Sequence, residues 1–153
     1  MTKSIIFIGF LIAGSYAGAD SLSGDTIGAA ITNVSSIKSA LNTALNPKSQ
    51  TGYVGFFDRS ETDKTICAEL GSAVGYISSI SDGLFKHTPT FSKETDASTQ
   101  LGYQVDDVIN ELTGARNGFC IDNSANRAQV TQQIQRAQEL TDRLEATLNS
   151  YEH

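Results

Sequence analysis

Apolar residues recur every three or four positions in four stretches of the chain, the spacing that gives an amphipathic helix one buried face. The first stretch contains Ile27, Ile31, Val34, Ile37, Leu41 and Leu45. The second contains Ile66, Leu70, Val74, Ile77, Ile80 and Leu84. The third contains Leu101, Val105, Val108, Ile109 and Leu112. The fourth contains Val130, Ile134, Ala137, Leu140, Leu144 and Leu148. The pattern therefore predicts four helices of about 20 to 28 residues.

Residues that start or stop helices lie between these stretches. Pro47 follows the first stretch and Pro89 follows the second, where each interrupts helical hydrogen bonding. The sequence Ser60-Glu61-Thr62-Asp63 has the S-x-x-D pattern of a helix cap, so we expect the second helix to start after it. The third helix is expected to be capped at Ser92.

Glycines and short polar side chains indicate where the last two helices meet. Gly114 and Gly118 predict the end of the third helix, and the fourth is expected to begin near Asp122 or Asn123. The second stretch also contains three glycines, Gly71, Gly75 and Gly83. Each either weakens its helix by up to about 1 kcal/mol relative to alanine or lets another helix approach closely.

The N-terminal segment has the three parts of a secretory signal peptide. Lys3 precedes an apolar run over residues 5–13, and the small residues Ala17-Gly18-Ala19 follow it. The apolar run is too short for a membrane anchor, which needs roughly 20 apolar residues. We expect residues 1–19 to be removed, which leaves a single helical domain over residues 20–153.

The two cysteines, Cys67 and Cys120, are expected to form a disulfide because an exported chain reaches an oxidising compartment. Two buried free thiols are the alternative. A bridge would close a loop of about 54 residues, which stabilises the fold by about 4 kcal/mol in the chain-entropy model.

Four helices with short connections favour an all-α, up-down-up-down four-helix bundle. In that topology the second and fourth helices start at the same end. Cys67 lies in the first turns of the second helix and Cys120 lies just before the fourth. The predicted topology therefore brings the two sulfur atoms close together.

The charge of the chain excludes some partners. There are 11 basic and 17 acidic residues, for a formal charge of −6. Removing the signal peptide removes Lys3, so the mature charge is 10 minus 17, or −7. Because acidic surfaces repel phosphates, we expect no nucleic-acid partner and no binding to anionic membranes. No stable membrane insertion is expected after cleavage.

Few residues offer catalytic or metal-binding chemistry. Neither His87 nor His153 has a glutamate three residues before it, and no cysteines or histidines have zinc or haem spacing. Asp106 and Asp107 are adjacent, so on a helix they point about 100° apart and do not converge on a substrate. The prediction is a non-enzymatic protein without metal or cofactor.

The segment before the second helix is the main candidate binding loop. It carries Tyr53, Phe56, Phe57 and Arg59 among glycines. One interpretation is that these aromatic residues fold back against the end of the bundle. The other is an exposed loop, since aromatic residues and arginine dominate binding hot spots.

A possible modification site lies in the first helix. Asn33-Val34-Ser35 is an acceptor sequence for N-glycosylation if the host glycosylates, and it also occurs by chance.

The function favoured by these observations is binding of an extracellular protein partner, for example as an inhibitor of a protease cascade or a modulator of host defence. One alternative is a carrier that holds a small apolar ligand inside the bundle. Another is a structural secreted or surface component. The expected location is extracellular, with a bacterial periplasm as the other destination that the signal peptide allows.

Overall fold

The computed structural model describes residues 24–47, 58–85 and 97–151, and they contain four α-helices and no strand. The helices are α1 (Gly24–Leu45), α2 (Asp58–Phe85), α3 (Ala97–Arg116) and α4 (Arg127–Tyr151). A π-helical turn, Asn117–Ile121, continues directly from α3. The all-α fold class is therefore confirmed. The predicted signal peptide, residues 1–19, lies outside the described residues, as does Ser92, the expected cap of the third helix.

Apart from Ala40, which is also buried, the buried side chains of the four helices follow alternating three- and four-residue steps, an average of 3.5 residues that is typical of coiled-coil-like helix packing. In α1 and α2 these positions are Ile27, Ala30, Val34, Ile37, Leu41 and Ala44, and Ile66, Leu70, Ala73, Ile77, Ile80 and Leu84. In α3 and α4 they are Leu101, Val105, Val108, Leu112 and Ala115, and Val130, Ile134, Ala137, Thr141, Leu144 and Leu148.

The regular spacing corrects part of the predicted core. Leu140 is only half-buried, and its neighbour Thr141 is fully buried in its place. Thr141 tolerates this position because its hydroxyl donates a 2.7 Å hydrogen bond to the carbonyl of Ala137. Four other predicted core residues are likewise partly exposed while packing against the core: Ile31, Leu45, Val74 and Ile109.

Two predicted helix starts are wrong. α2 begins at Asp58, so Ser60 lies within its first turn and is not its cap. α4 begins at Arg127, several residues after the expected start. Asn126 caps α4, since its Oδ1 accepts the backbone N–H of Gln129 at 2.9 Å. The Gln129 side chain accepts the backbone N–H of Asn126 at 2.8 Å, which completes a reciprocal capping box.

The turn between α3 and α4 explains the late start. The backbone N–H of Asp122 donates to the carbonyl of Asn117, and that of Ala125 donates to Gly118. Asn123 then has a φ of 49°, in the left-handed region that asparagine enters more readily than most residues. The predicted end of the third helix at Gly114 to Gly118 therefore agrees with the structure, but the chain turns before α4 forms.

Each helix packs against two others. α1 contacts α2 and α4, and α3 contacts α2 and α4. Within the described residues, α1 and α3 do not contact each other, and neither do α2 and α4. Lys38 of α1 contacts Glu145 of α4, and the later residue Asn42 contacts the earlier residue Gln138. The two helices therefore make contact in opposite residue order.

Two further pairs of helices, α2 with α3 and α3 with α4, also make contact in opposite residue order. Gly71 of α2 lies beside Arg116 of α3, and Gly102 lies beside the ring of Phe85. Between α3 and α4, Glu111 meets Arg136, and the later residue Gly114 meets the earlier residue Gln133.

The glycines of α2 do not mark a close helix approach. A Cβ atom added at Gly75 or Gly83 would meet no heavy atom within 4 Å, and at Gly71 only Arg116 at 4.0 Å. Of the two interpretations, the structure supports the one in which these glycines weaken the helix. None of the described helices combines the length and apolar character needed to cross a membrane.

Candidate functional site

The predicted disulfide is present. Cys67, in the third turn of α2, is bonded to Cys120 in the π-helical turn, with 2.08 Å between the sulfur atoms and 5.7 Å between the Cα atoms. The alternative of two free thiols is therefore wrong. The bridge attaches the turn after α3 to α2, and Cys120 lies further from the start of α4 than expected.

An ion pair lies close to the disulfide. Asp63, one turn before Cys67, accepts a 2.5 Å hydrogen bond from Arg127, the first residue of α4. Their side chains are 38% and 42% exposed, so solvent screens the pair, and we expect it to contribute at most about 1 kcal/mol. The N-terminal parts of α2 and α4 are therefore in contact.

The candidate binding loop falls almost entirely outside the described part of the chain. Tyr53, Phe56 and Phe57 lie outside it, and Arg59 belongs to the first turn of α2 with its side chain outside the description. The exposed and the folded-back interpretations of this loop both stay predictions.

The glycosylation sequence lies in the middle of α1. Asn33 is half-buried, and Ser35 is exposed with its hydroxyl bonded to the carbonyl of Ile31 at 3.2 Å. Asn33 also lines a cleft between α1 and α2, so its side chain faces one of the two concave surfaces described below.

The first concave surface is an open cleft of about 260 Å³ between the start of α1 and the end of α2. Ala29, Ala30, Ile80 and Leu84 contribute apolar atoms, and Asp25 is the only ionisable residue in the lining. We call this the α1–α2 cleft. Its Asp25 side chain is exposed and makes no ion pair with another described residue.

The middle of the outward side of the same two helices is uncharged. Thr32, Ser36, Ser39 and Thr43 of α1 and Ser72, Tyr76 and Ser79 of α2 form what we call the neutral surface. Asp25 and Lys38 are the only charged residues of α1, and α2 has none between Gly71 and Ser81. In comparison, the longest uncharged stretches of α3 and α4 are the nine residues 97–105 and the eight residues 128–135.

Five of the seven hydroxyl groups of the neutral surface donate a hydrogen bond to a backbone carbonyl of their own helix. Thr32 donates to the carbonyl of Gly28 at 3.0 Å, and Ser36 donates to Thr32 at 3.2 Å. On α2, Ser79 donates to Gly75 at 3.1 Å. Excluding water from these five side chains therefore leaves their hydroxyl hydrogens with an acceptor, which reduces the cost of burying them.

The second concave surface is a more polar cleft of about 340 Å³ between α3 and α4. Glu111, with only 17% of its side chain exposed, approaches the guanidinium of Arg136 at 3.4 Å. Gln133 also lines the cleft, but its Oε1 atom is buried and has no hydrogen-bond partner. This atom is shielded from solvent, and the two charged residues that line the cleft, Glu111 and Arg136, pair with each other.

A cluster of opposite charges joins α1 to α4. The Lys38 ammonium group lies 2.6 Å from Glu145 Oε2 and 2.9 Å from Asp142 Oδ1. Hydrogen bonds to Glu145 and then to Asp142 raise the pKa of Lys38 above its ordinary value of 10.5. Lys38 pairs with both carboxylates, so we interpret the cluster as a structural contact between α1 and α4.

The described residues contain no group of three or more histidine, cysteine or carboxylate side chains arranged to hold a metal ion. Asp106 and Asp107 are both exposed on α3. Searches of family models, curated proteins and solved structures return no match to the chain.

The sequence contains a signal for the neutral surface that periodicity alone does not use. Residues 26–37 and 70–81 are two uncharged runs rich in serine, threonine, alanine and glycine. What the sequence does not show is that α1 and α2 pack side by side, so that the two runs form one surface.

Proposed function

We propose that the protein is an exported, non-enzymatic binding protein that recognises an extracellular protein partner through the neutral surface of α1 and α2. The observation that carries this proposal is that two uncharged stretches, residues 26–37 of α1 and 70–81 of α2, lie on neighbouring helices of an acidic chain. Centres of protein interfaces are depleted in charged residues and enriched in tyrosine.

The residue types of the neutral surface also support binding. Tyr76 is 37% exposed among serine, threonine and glycine residues. Tyrosine provides a large contact area at low entropic cost, and serine, glycine and asparagine provide adaptable contacts, which is why antibody binding surfaces favour these residues. Tyr76 is therefore the proposed anchor of the interface.

We further propose that the four helices form an up-down-up-down bundle. Contacts between α1 and α4, between α2 and α3, and between α3 and α4 each run in opposite residue order. The α1–α2 cleft joins the start of α1 to the end of α2, which supports an antiparallel arrangement of that pair too. Short connections favour the same topology.

Export is proposed from the signal-peptide pattern of residues 1–19, and the disulfide is consistent with an oxidising destination. The mature protein is then expected to start at Asp20. Intact-mass and N-terminal peptide measurements on protein recovered from outside the producing cells test this directly. Recovery of an uncleaved chain that retains residues 1–19 would contradict it.

Site-specific crosslinking tests the neutral surface. A photoreactive amino acid replaces Ser79 on that surface or, as a control, the exposed Asn110 on α3. Each variant is irradiated in the extracellular fluid into which the protein is released. We expect a discrete adduct from position 79 and none of the same mass from position 110. Equal adducts from both positions, or none from position 79, would argue against the neutral surface.

The two exposed tyrosines provide a matched test of affinity. Tyr76→Ala removes the proposed anchor, and Tyr103→Ala removes a tyrosine of α3 that is 66% exposed. With the crosslinked partner purified, we expect Tyr76→Ala to weaken binding by about tenfold or more, as hot-spot tyrosines do. Tyr103→Ala should bind as the wild type does. The opposite ranking would place the interface on α3.

A further inference from the structure

We propose that the α1–α2 cleft accepts one basic side chain, a lysine or an arginine, that projects from the protein partner. The inference rests on the proposed function, because the cleft lies at one end of the helix pair that carries the neutral surface. It specifies the partner further: an uncharged contact area with one cationic residue beside it.

The charge of the cleft favours a cation. Asp25 is its only ionisable residue, is exposed, and makes no ion pair with the other described residues. Asn33 of α1 and Ser79 of α2 also line the cleft, and both residue types carry hydrogen-bond acceptors. The whole chain is also acidic, which favours the approach of a basic group over an acidic one.

The apolar atoms of the cleft fit the rest of such a side chain. Ala30, Ile80 and Leu84 are core residues whose edges form the floor, and Ala29 is exposed at the rim. Lysine and arginine place their methylene groups on apolar surface while the charged end remains in water or meets a carboxylate. The stem would therefore lie on the floor while its charged end meets Asp25.

The size of the cleft is also consistent with a single side chain. Its volume of about 260 Å³ is smaller than pockets for drug-sized ligands, which run from about 300 to 1,000 Å³. It is open to solvent, so a side chain attached to a partner can enter without displacing a helix.

The chain offers a matched pair of substitutions that block the cleft or leave it open. Gly83 lines the cleft and Gly75 does not, and a Cβ atom at either position would meet no heavy atom within 4 Å. Gly83→Leu therefore adds a side chain at the lining of the cleft from an open Cβ position, and Gly75→Leu adds the same side chain elsewhere on α2. Both replace a helical glycine, so both should stabilise the helix by a similar amount.

The test uses isolated side-chain probes and needs no partner. The isotopically labelled mature protein is titrated with N-acetyl-arginine methylamide, followed by backbone amide NMR. N-acetyl-citrulline methylamide, which has nearly the same shape and no charge, is the control probe. We expect the arginine probe to shift the amides of Ala29, Ser79 and Gly83 in a saturable way, and the citrulline probe to shift them much less.

Three variants complete the test. Asp25→Asn should weaken the arginine probe by about two- to fivefold, the range expected for an exposed ion pair. Gly83→Leu should abolish the shifts, and Gly75→Leu should retain them. Because Asp25 also lies in the first turn of α1, where a carboxylate stabilises the helix dipole, the melting temperature of Asp25→Asn is measured in parallel.

Equal shifts from arginine and citrulline probes, or unchanged binding to Asp25→Asn in a folded protein, would overturn the cationic assignment. Loss of binding in Gly75→Leu as well as Gly83→Leu would place the site outside the cleft. Failure of these titrations leaves the Tyr76 experiment unaffected, and failure of the Tyr76 experiment does not change the titrations. The two proposals are therefore separable.

Discussion

Single buried residues show how closely the core follows its 3.5-residue spacing. Leu140 is the apolar residue that a sequence pattern selects, yet Thr141 occupies the buried position. The hydroxyl of Thr141 donates a hydrogen bond within α4, so a polar residue is tolerated in the core. Whether a residue is buried here depends more on the face of the helix that it occupies than on its polarity. The buried face of α4 is defined by all of its core positions together. Comparing the hydrophobicity of two neighbouring residues does not identify that face.

A pair of leucine substitutions tests this register. Leu144 is fully buried, so Leu144→Ala should destabilise the protein by about 2 to 5 kcal/mol through lost burial and a cavity. Leu140→Ala removes the same atoms from a half-buried position and should cost clearly less. Urea denaturation of both variants measures the difference. A larger loss for Leu140→Ala would contradict the assigned register of α4.

Lys38 should give the protein a pH-dependent contribution to stability. Its folded-state pKa is raised by Glu145 and Asp142, so the contribution is complete below the ordinary value of 10.5 and is lost as pH rises through the raised value. Because 37% of the Lys38 side chain is exposed, each pair should be worth at most about 1 kcal/mol.

The comparison that isolates this effect is wild type against Lys38→Met. Their difference in unfolding free energy should be constant near neutral pH and should shrink as pH rises above the ordinary lysine pKa. Chemical denaturation at a series of pH values measures it. A difference that grows with pH would contradict the raised pKa.

Among the elements, the disulfide should contribute the largest single increment of stability. It joins residues 53 apart in sequence and attaches the turn after α3 to α2. Replacing both cysteines by serine should lower the unfolding free energy by about 2 to 4 kcal/mol. The expected readout is a lower urea midpoint that no longer responds to reducing agent. An unchanged midpoint would show that packing alone holds this end together.

The helices and the disulfide were predictable because both follow from repeated or paired residues. The ends of the helices were not. α2 starts at Asp58, before the expected capping sequence, and Asp63 of that sequence pairs with Arg127 of α4. The start of α4 follows a turn through Asn123, whose backbone conformation periodicity does not encode.

At the scale of the whole molecule, function is proposed from where charge is missing. The composition of the loop around Tyr53 makes it a candidate binding site, but the loop lies outside the described residues, so its binding role stays a prediction. The neutral surface and the α1–α2 cleft depend on α1 and α2 lying side by side, and single-helix patterns contain no such information. The neutral surface and the α1–α2 cleft can therefore be identified only from the packing of α1 against α2.

The central claim is that an extracellular protein binds the neutral surface, and one charge placed there tests it most directly. Ser72→Glu puts a carboxylate on that surface, and Asn110→Glu makes the same change in net charge on α3. Binding of each variant to the purified partner is measured by calorimetry, after thermal melts show that both fold.

The account predicts that Ser72→Glu weakens binding by about tenfold or more, because the interface would bury a carboxylate that has no counter-charge on this surface. Asn110→Glu should bind as tightly as the wild type. Equal affinities for the two variants, or selective loss in Asn110→Glu, would contradict the proposed binding surface.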